Sequence, residues 1–164
     1  MYDIVRTREL LAELGATNVI ERIQEWIAHE AAKSKKFNCP FCEKRVTIYH
    51  RPIHKEMGQF LMKLYAKDRV FPRFYTMREL DPTAVKAASD GSYLVHWGLV
   101  ERSGKKGQVP LNAYQLTDKG RTFIAGQTTV PSHCHMLNNK VVGWSDRHIH
   151  IKEIVEDYED LLYR

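Results

Sequence analysis

Apolar residues recur every three or four positions in two stretches of the chain, which is the spacing of an amphipathic helix. The first stretch, 17–34, carries on one face Val19, Ile23, Trp26, Ile27 and Ala31. The second begins at Ile53 and carries Met57, Phe60, Leu61 and Leu64. Each stripe predicts a helix packed on its own domain. The 17–34 stripe could instead face a second copy of the chain, which would make it a homodimerisation helix.

Short strands are predicted where apolar and polar residues alternate and β-branched side chains accumulate. The candidate strands are VTIYH (46–50), LVER (99–102) and AYQLT (113–117). Further helices are predicted over 83–97 and, capped by Thr117, over the segment that ends at Gly126. Asn138 and Asn139 predict the tight turn of a hairpin. Helices mixed with short antiparallel strands indicate an α+β fold.

Charge is concentrated in the middle of this 164-residue chain, whose formal net charge is +5. Between Lys33 and Arg73 there are eleven Lys and Arg against three acidic residues, as a polyanion binder requires. No apolar run approaches the roughly 20 residues that span a bilayer, so no membrane association is expected. The N-terminal stretch MYDIVRTREL has charges where a signal peptide needs apolar residues. We therefore expect a cytoplasmic protein.

The stretch WGLVERSGKKGQVPLNAYQLTDKGRTFIAG (97–126) resembles the end of a winged helix-turn-helix DNA-binding domain. In that family a recognition helix runs into a strand, a β-hairpin wing, a second strand and a further helix. The resemblance covers about 53–126. It implies that a helix enters the major groove while the wing contacts the backbone. The chain also resembles small uncharacterised phage-encoded proteins, which would place it in the host cytoplasm.

Candidate nucleic-acid contacts come from three places in this arrangement. The wing offers Arg102, Lys105 and Lys106. The recognition helix offers Thr83, Lys86 and Ser92. The basic segment before the domain offers Lys44, Arg45 and Arg51. Together with the central charge, the resemblance predicts a DNA-binding regulator of transcription.

Two cysteines and two histidines in the segment CPFCEKRVTIYHRPIH could hold a structural zinc ion. The local set is Cys39, Cys42, His50 and His54, in the pattern C-x2-C-x7-H-x3-H. Four protein ligands would leave no open position, which argues for a structural staple rather than a catalytic metal. The same cysteines could instead form a ribbon with Cys134 and either His133 or His135. Buried thiols without metal are the third reading.

The predicted organisation has a winged helix core with two additions. It consists of N-terminal helices (1–36), a zinc-binding hairpin (37–54), the winged helix domain (53–126) and a C-terminal hairpin with a short helix (127–164).

An alternative function is a non-catalytic module that docks on a protein partner, such as a host protein. This alternative is motivated by the 17–34 helix and by the acidic tail.

An enzyme is not expected from this sequence. His148 and His150 alternate as on a strand, and with Asp146, or with His133 and His135, they could form a metal-dependent nuclease site. However, no acidic residue lies at helical spacing from a histidine in a metal-hydrolase pattern, and no glycine-rich phosphate loop is present.

Overall fold

The computed structural model of the chain describes residues 17–39, 43–80, 88–104 and 112–162, with backbone only at 17–20 and 88–90. Five of the predicted site residues lie outside these ranges, namely Cys42, Thr83, Lys86, Lys105 and Lys106. The chain divides into two compact units. The first comprises 1–50 and 135–144, and the second comprises 51–134 and 145–164.

Helices and small antiparallel sheets are mixed along the chain, which confirms the α+β class. The helices are α1 (Thr17–Lys33), α2 (Lys55–Asp68), α3 (Met77–Leu80), α4 (Ala88–Leu94), α5 (Asp118–Ile124) and α6 (Tyr158–Leu162), with a 3-10 turn at Ile151–Glu153. The strands are β1 (Lys36–Asn38), β2 (Arg45–Thr47), β3 (Tyr49–Pro52), β4 (Tyr75–Thr76), β5 (Val100–Arg102), β6 (Ala113–Leu116), β7 (Val130–Pro131), β8 (His133–Leu137), β9 (Lys140–Trp144) and β10 (His148–Ile149).

The first unit is built from α1, the β1–β2 hairpin and the hairpin that leads into β9. In this unit α1 packs against β9, and Ala31 of its apolar stripe is fully buried. Trp26 meets Phe37 of β1 edge-to-face, with ring centroids 5.2 Å apart. Asn138 and Asn139 adopt φ angles of 49° and 61°, which confirms the predicted two-residue turn between β8 and β9.

The core of the second unit forms around α2. The buried face of this helix carries Met57, Phe60, Leu61 and Leu64, as the spacing predicted. α2 packs against α3, α4, α5 and β6. The strands β4, β6 and β5 form a three-stranded antiparallel sheet in that spatial order. β3, β8 and β9 form another three-stranded sheet in that spatial order.

The β5–β6 hairpin is the clearest local feature of the second unit. Val100 pairs with Leu116 and Arg102 with Tyr114. Two further bonds extend the ladder toward the loop. The Ser103 N–H donates to the Ala113 carbonyl at 2.8 Å, and the Ala113 N–H donates to Ser103 Oγ at 3.1 Å. The predicted strands therefore form one antiparallel hairpin whose loop spans 104–112.

Two predicted elements differ from the structure in their boundaries. The strand predicted over 46–50 is divided into β2 and β3 at Ile48, whose N–H donates to the Lys35 carbonyl at 2.7 Å. The helix predicted over 83–97 ends at Leu94, because tighter turns replace its regular bonds. The Gly98 N–H, for example, donates to the Val95 carbonyl at 3.0 Å.

Candidate nucleic-acid interface

The hairpin places Arg102 at the base of the 104–112 loop. Arg102 is exposed on β5, and its guanidinium donates a hydrogen bond to Asn112 Oδ1. Asn112 adopts a φ of 59°, a conformation that asparagine tolerates better than most residues. This hydrogen bond joins the two ends of the loop and keeps the guanidinium of Arg102 next to it.

Arg78 is a further candidate that the sequence analysis missed. It lies on α3, directly before the segment that leads to α4, and it is exposed. Among the described residues its side chain forms no hydrogen bond or ion pair, and it is exposed to solvent. The sequence could have indicated Arg78, because it is a basic residue shortly before the predicted recognition helix. Ser92, which the sequence predicts as a nucleic-acid contact, is half-buried on α4.

Arg51 is directed at an aromatic ring rather than at open solvent. Its guanidinium lies 4.1 Å from the centroid of the Tyr93 ring on α4, a cation–π contact. The side chain of the neighbouring His96 is partly buried, which lowers its pKa, and the positive charge of Arg51 lowers that pKa further. Arg51 is therefore a packing partner of α4 as well as a cation.

Lys44 and Arg45 lie in the first unit, on the β1–β2 hairpin, and both are exposed. Two backbone hydrogen bonds involve the described residues at the two ends of the segment between these strands. The Cys39 N–H donates to the Lys44 carbonyl at 2.9 Å, and the Glu43 N–H donates to the Cys39 carbonyl at 2.8 Å. Glu43 has a φ of 57°, so the chain reverses in the left-handed region.

The histidines of the local zinc set belong to different units, and each has a partner from the protein. In the first unit, His50 Nε2 is 3.0 Å from the Ala31 carbonyl oxygen, and its ring stacks on His135 with centroids 4.1 Å apart. In the second unit, His54 Nδ1 is 2.8 Å from Glu56 Oε2.

The ribbon alternative would use Cys134, which is fully buried in the second unit. Burial raises the pKa of this thiol to about 11, whereas metal binding uses the thiolate. Among the described residues, no group of three or more His, Cys, Asp or Glu is arranged to hold a metal ion. Because Cys42 is outside these residues, zinc binding stays a prediction.

The residues of the nuclease alternative also have structural partners. His148 Nδ1 is 3.3 Å from Thr129 Oγ1. His150 caps the 3-10 turn, and its backbone N–H donates to Glu153 Oε1 at 2.8 Å. These contacts do not test the nuclease alternative, which stays a prediction.

The chain matches no protein-family model, and no curated protein or solved structure shows significant similarity to it. No helix among the described residues is both long enough and apolar enough to cross a bilayer. The case for a function therefore depends on the arrangement of elements and charges.

Proposed function

We propose that the chain is a winged-helix nucleic-acid-binding protein, with duplex DNA as its target and a regulatory role. One observation carries the proposal. The elements follow the order α2, β4, α3, α4, β5, loop and β6, and the edge strand β4 pairs with β6 rather than with β5. That order and that pairing are the ones expected of a winged helix-turn-helix domain.

Electrostatics supports the same proposal. Binding to a phosphate chain draws most of its affinity from cations that replace condensed counterions. Arg78 on α3 and Arg102 beside the hairpin loop are exposed cations on elements that the proposed mode brings to the duplex. In this mode the recognition helix, to which α4 belongs, enters the major groove, and the hairpin loop contacts the phosphates of the adjacent backbone. Lys105 and Lys106 lie between β5 and β6 in the sequence.

The test compares single-charge variants on a labelled random duplex of about 30 base pairs, the length of some three helical turns. Arg78→Ala and Arg102→Ala should each weaken binding and lower the slope of log Kd against log salt by about one. Lys67→Ala is the matched control, because Lys67 is an exposed cation on α2. Equal behaviour of all three variants would contradict the proposal.

A protein partner is the second candidate, and one observation favours it. Val70 and Phe71, which follow α2, each have 68% of their surface exposed. Adjacent exposed apolar side chains are typical of contact sites for proteins. A capture experiment on host extract that survives nuclease and high salt, and that is lost in Phe71→Ser, would support this candidate.

A further inference from the structure

A cleft of about 360 Å³ opens in the second unit, away from the β5–β6 hairpin in sequence. Its walls come from the start of α2, from the junction of β7 and β8, and from the segment 147–156. A volume of this size is at the lower end of the range for small-molecule sites.

The lining of the cleft combines four apolar residues with seven polar or charged ones. Ile53, Ile149 and Ile154 line it, and each is more than nine-tenths buried. Pro52 completes this apolar lining. The exposed parts of these side chains offer a small apolar surface to the hydrocarbon part of a ligand. A fully hydrated ion such as inorganic phosphate would gain nothing from this surface.

A polar network fixes one imidazole in the wall. His133 Nδ1 is 2.9 Å from Ser132 Oγ, which in turn is 3.0 Å from Ser145 Oγ. The His133 N–H donates to Ser145 Oγ at 3.1 Å. Ser132 is 5% exposed, so this network is part of the folded core rather than of the surface. The orientation of the His133 ring is therefore set before any ligand arrives.

Among the cations at the rim, Arg147 has the longer contact with a carboxylate, 3.4 Å to Glu153, against 2.7 Å from Lys55 to Glu156. Both oxygens of Glu153 are engaged, Oε1 by the His150 N–H at 2.8 Å and Oε2 by Arg147 at 3.4 Å. Glu156 accepts from Lys55 Nζ at 2.7 Å. Arg147 makes that one long side-chain contact within the described residues and is 74% exposed. Its guanidinium has five N–H groups, so it can still offer a bidentate pair to a ligand.

We propose that this cleft binds a small organic carboxylate. The hydrocarbon part of the ligand lies on Ile53, Ile149 and Ile154, and its carboxylate is held by Arg147 beside His133. The planar fork of arginine matches a carboxylate in two parallel hydrogen bonds, which selects this group over an alcohol or an amine. This site is independent of nucleic-acid binding, so either proposal can fail without the other.

Hexanoate is the probe, and NMR of the histidine imidazoles of the full chain is the readout. We expect saturable shifts of the His133 resonances with a Kd of about 1 mM, a common value for a ligand of few atoms. Hexylammonium has the same hydrocarbon part with the opposite charge, and inorganic phosphate has the charge without the hydrocarbon part. Both should leave these resonances unshifted at the same concentration.

Arg147→Gln removes the positive charge that is proposed to bind the carboxylate of the ligand. The variant should fold, because the side chain is exposed and the contacts of Arg147 with Ser132 and Ser145 use its backbone carbonyl. Hexanoate binding should weaken at least about tenfold. Lys152→Gln is the control, since Lys152 lies in the same segment but outside the cleft lining. Absence of saturation by hexanoate, equal binding of hexylammonium or phosphate, or unchanged affinity in Arg147→Gln would each overturn the proposal.

Discussion

Asp68 and Arg121 form a bidentate ion pair that joins α2 to α5. Arg121 Nε donates to Asp68 Oδ2 at 2.8 Å, and a terminal nitrogen of the same guanidinium donates to Oδ1 at 3.2 Å. The two partners differ in burial, because Asp68 is 3% exposed and Arg121 is 34% exposed. The carboxylate strongly stabilises the charged form of Arg121 and raises its pKa.

That difference in burial predicts an asymmetric response to mutation. Arg121→Ala leaves a buried carboxylate without its partner and should cost about 3 kcal/mol of unfolding free energy. Asp68→Asn leaves a guanidinium that can reach water and should cost about half as much. Urea unfolding of both variants and of the double variant measures the two costs and their coupling. Equal costs for the two single variants would contradict this account of the pair.

Gly120 has a steric role at the start of α5. A Cβ atom built on Gly120 would overlap the carbonyl oxygen of Leu99 and come within 3.1 Å of Leu116 Cδ2. Gly120→Ala should therefore destabilise the second unit by about 2 kcal/mol or more. Gly104→Ala is the matched control, since a Cβ atom there has no neighbour within 4 Å among the described residues. Thermal unfolding should separate the two variants clearly, and equal melting temperatures would refute the steric explanation.

Glu79 caps the start of α3 and should make stability depend on acid pH. Its carboxylate accepts from the Thr76 N–H at 2.8 Å and from Arg73 at 2.9 Å, and these contacts lower its pKa to about 2 from 4.5. The lowered pKa means that the stabilisation is complete above about pH 4.5 and is lost as pH falls toward 2.

Glu79→Gln should therefore lose about 1 kcal/mol at neutral pH, a modest value because the side chain is partly exposed. The difference in unfolding free energy between the wild type and this variant should shrink between pH 4.5 and 2. Glu101→Gln, on the exposed face of β5, controls for the loss of one negative charge. A constant difference across that interval would show that Glu79 is not the titrating group.

Cys134 should resist alkylation in the native protein. Its side chain is fully buried, and the thiolate is the form that reacts. Iodoacetamide followed by peptide mass mapping should find Cys134 unmodified in the folded chain and modified after denaturation. Rapid modification of Cys134 in the folded chain would contradict its burial.

The zinc prediction separates into two ligand sets that metal analysis can distinguish. The local set predicts loss of zinc in Cys39→Ser and His54→Asn, with retention in Cys134→Ala. The ribbon set predicts loss in Cys39→Ser and Cys134→Ala, with retention in His54→Asn. Elemental analysis of the purified variants gives the answer, and wild-type chain without zinc would exclude both sets.

The parts of the fold that depend on local sequence could be predicted, and those that depend on distant contacts could not. The stripe on α2, the Thr117 cap and the Asn138 turn each follow from residues within a few positions of one another. Thr117 Oγ1, for example, accepts from the Gly120 N–H at 2.9 Å. Such interactions leave a periodic or short-range signal in the sequence.

The contacts that position side chains in space leave no such signal. Arg51 lies over Tyr93, forty-two positions later, and Trp97 Nε1 donates to the Pro131 carbonyl at 2.7 Å. The cleft likewise joins segments that are about a hundred positions apart. Residue type alone selected Arg51 as a phosphate contact, and only the packing shows that its guanidinium is held by an aromatic ring.

The most direct test of the winged-helix account is the salt dependence of duplex binding by the wing variant Lys105→Ala/Lys106→Ala. Fluorescence anisotropy between about 50 and 200 mM salt gives the slope of log Kd against log salt. The account predicts weaker binding and a slope smaller by about two than that of the wild type. Lys63→Ala/Lys67→Ala on α2 removes the same charge and should leave the slope close to the wild-type value. A wing variant that binds the duplex with the affinity and slope of the wild type would contradict the account.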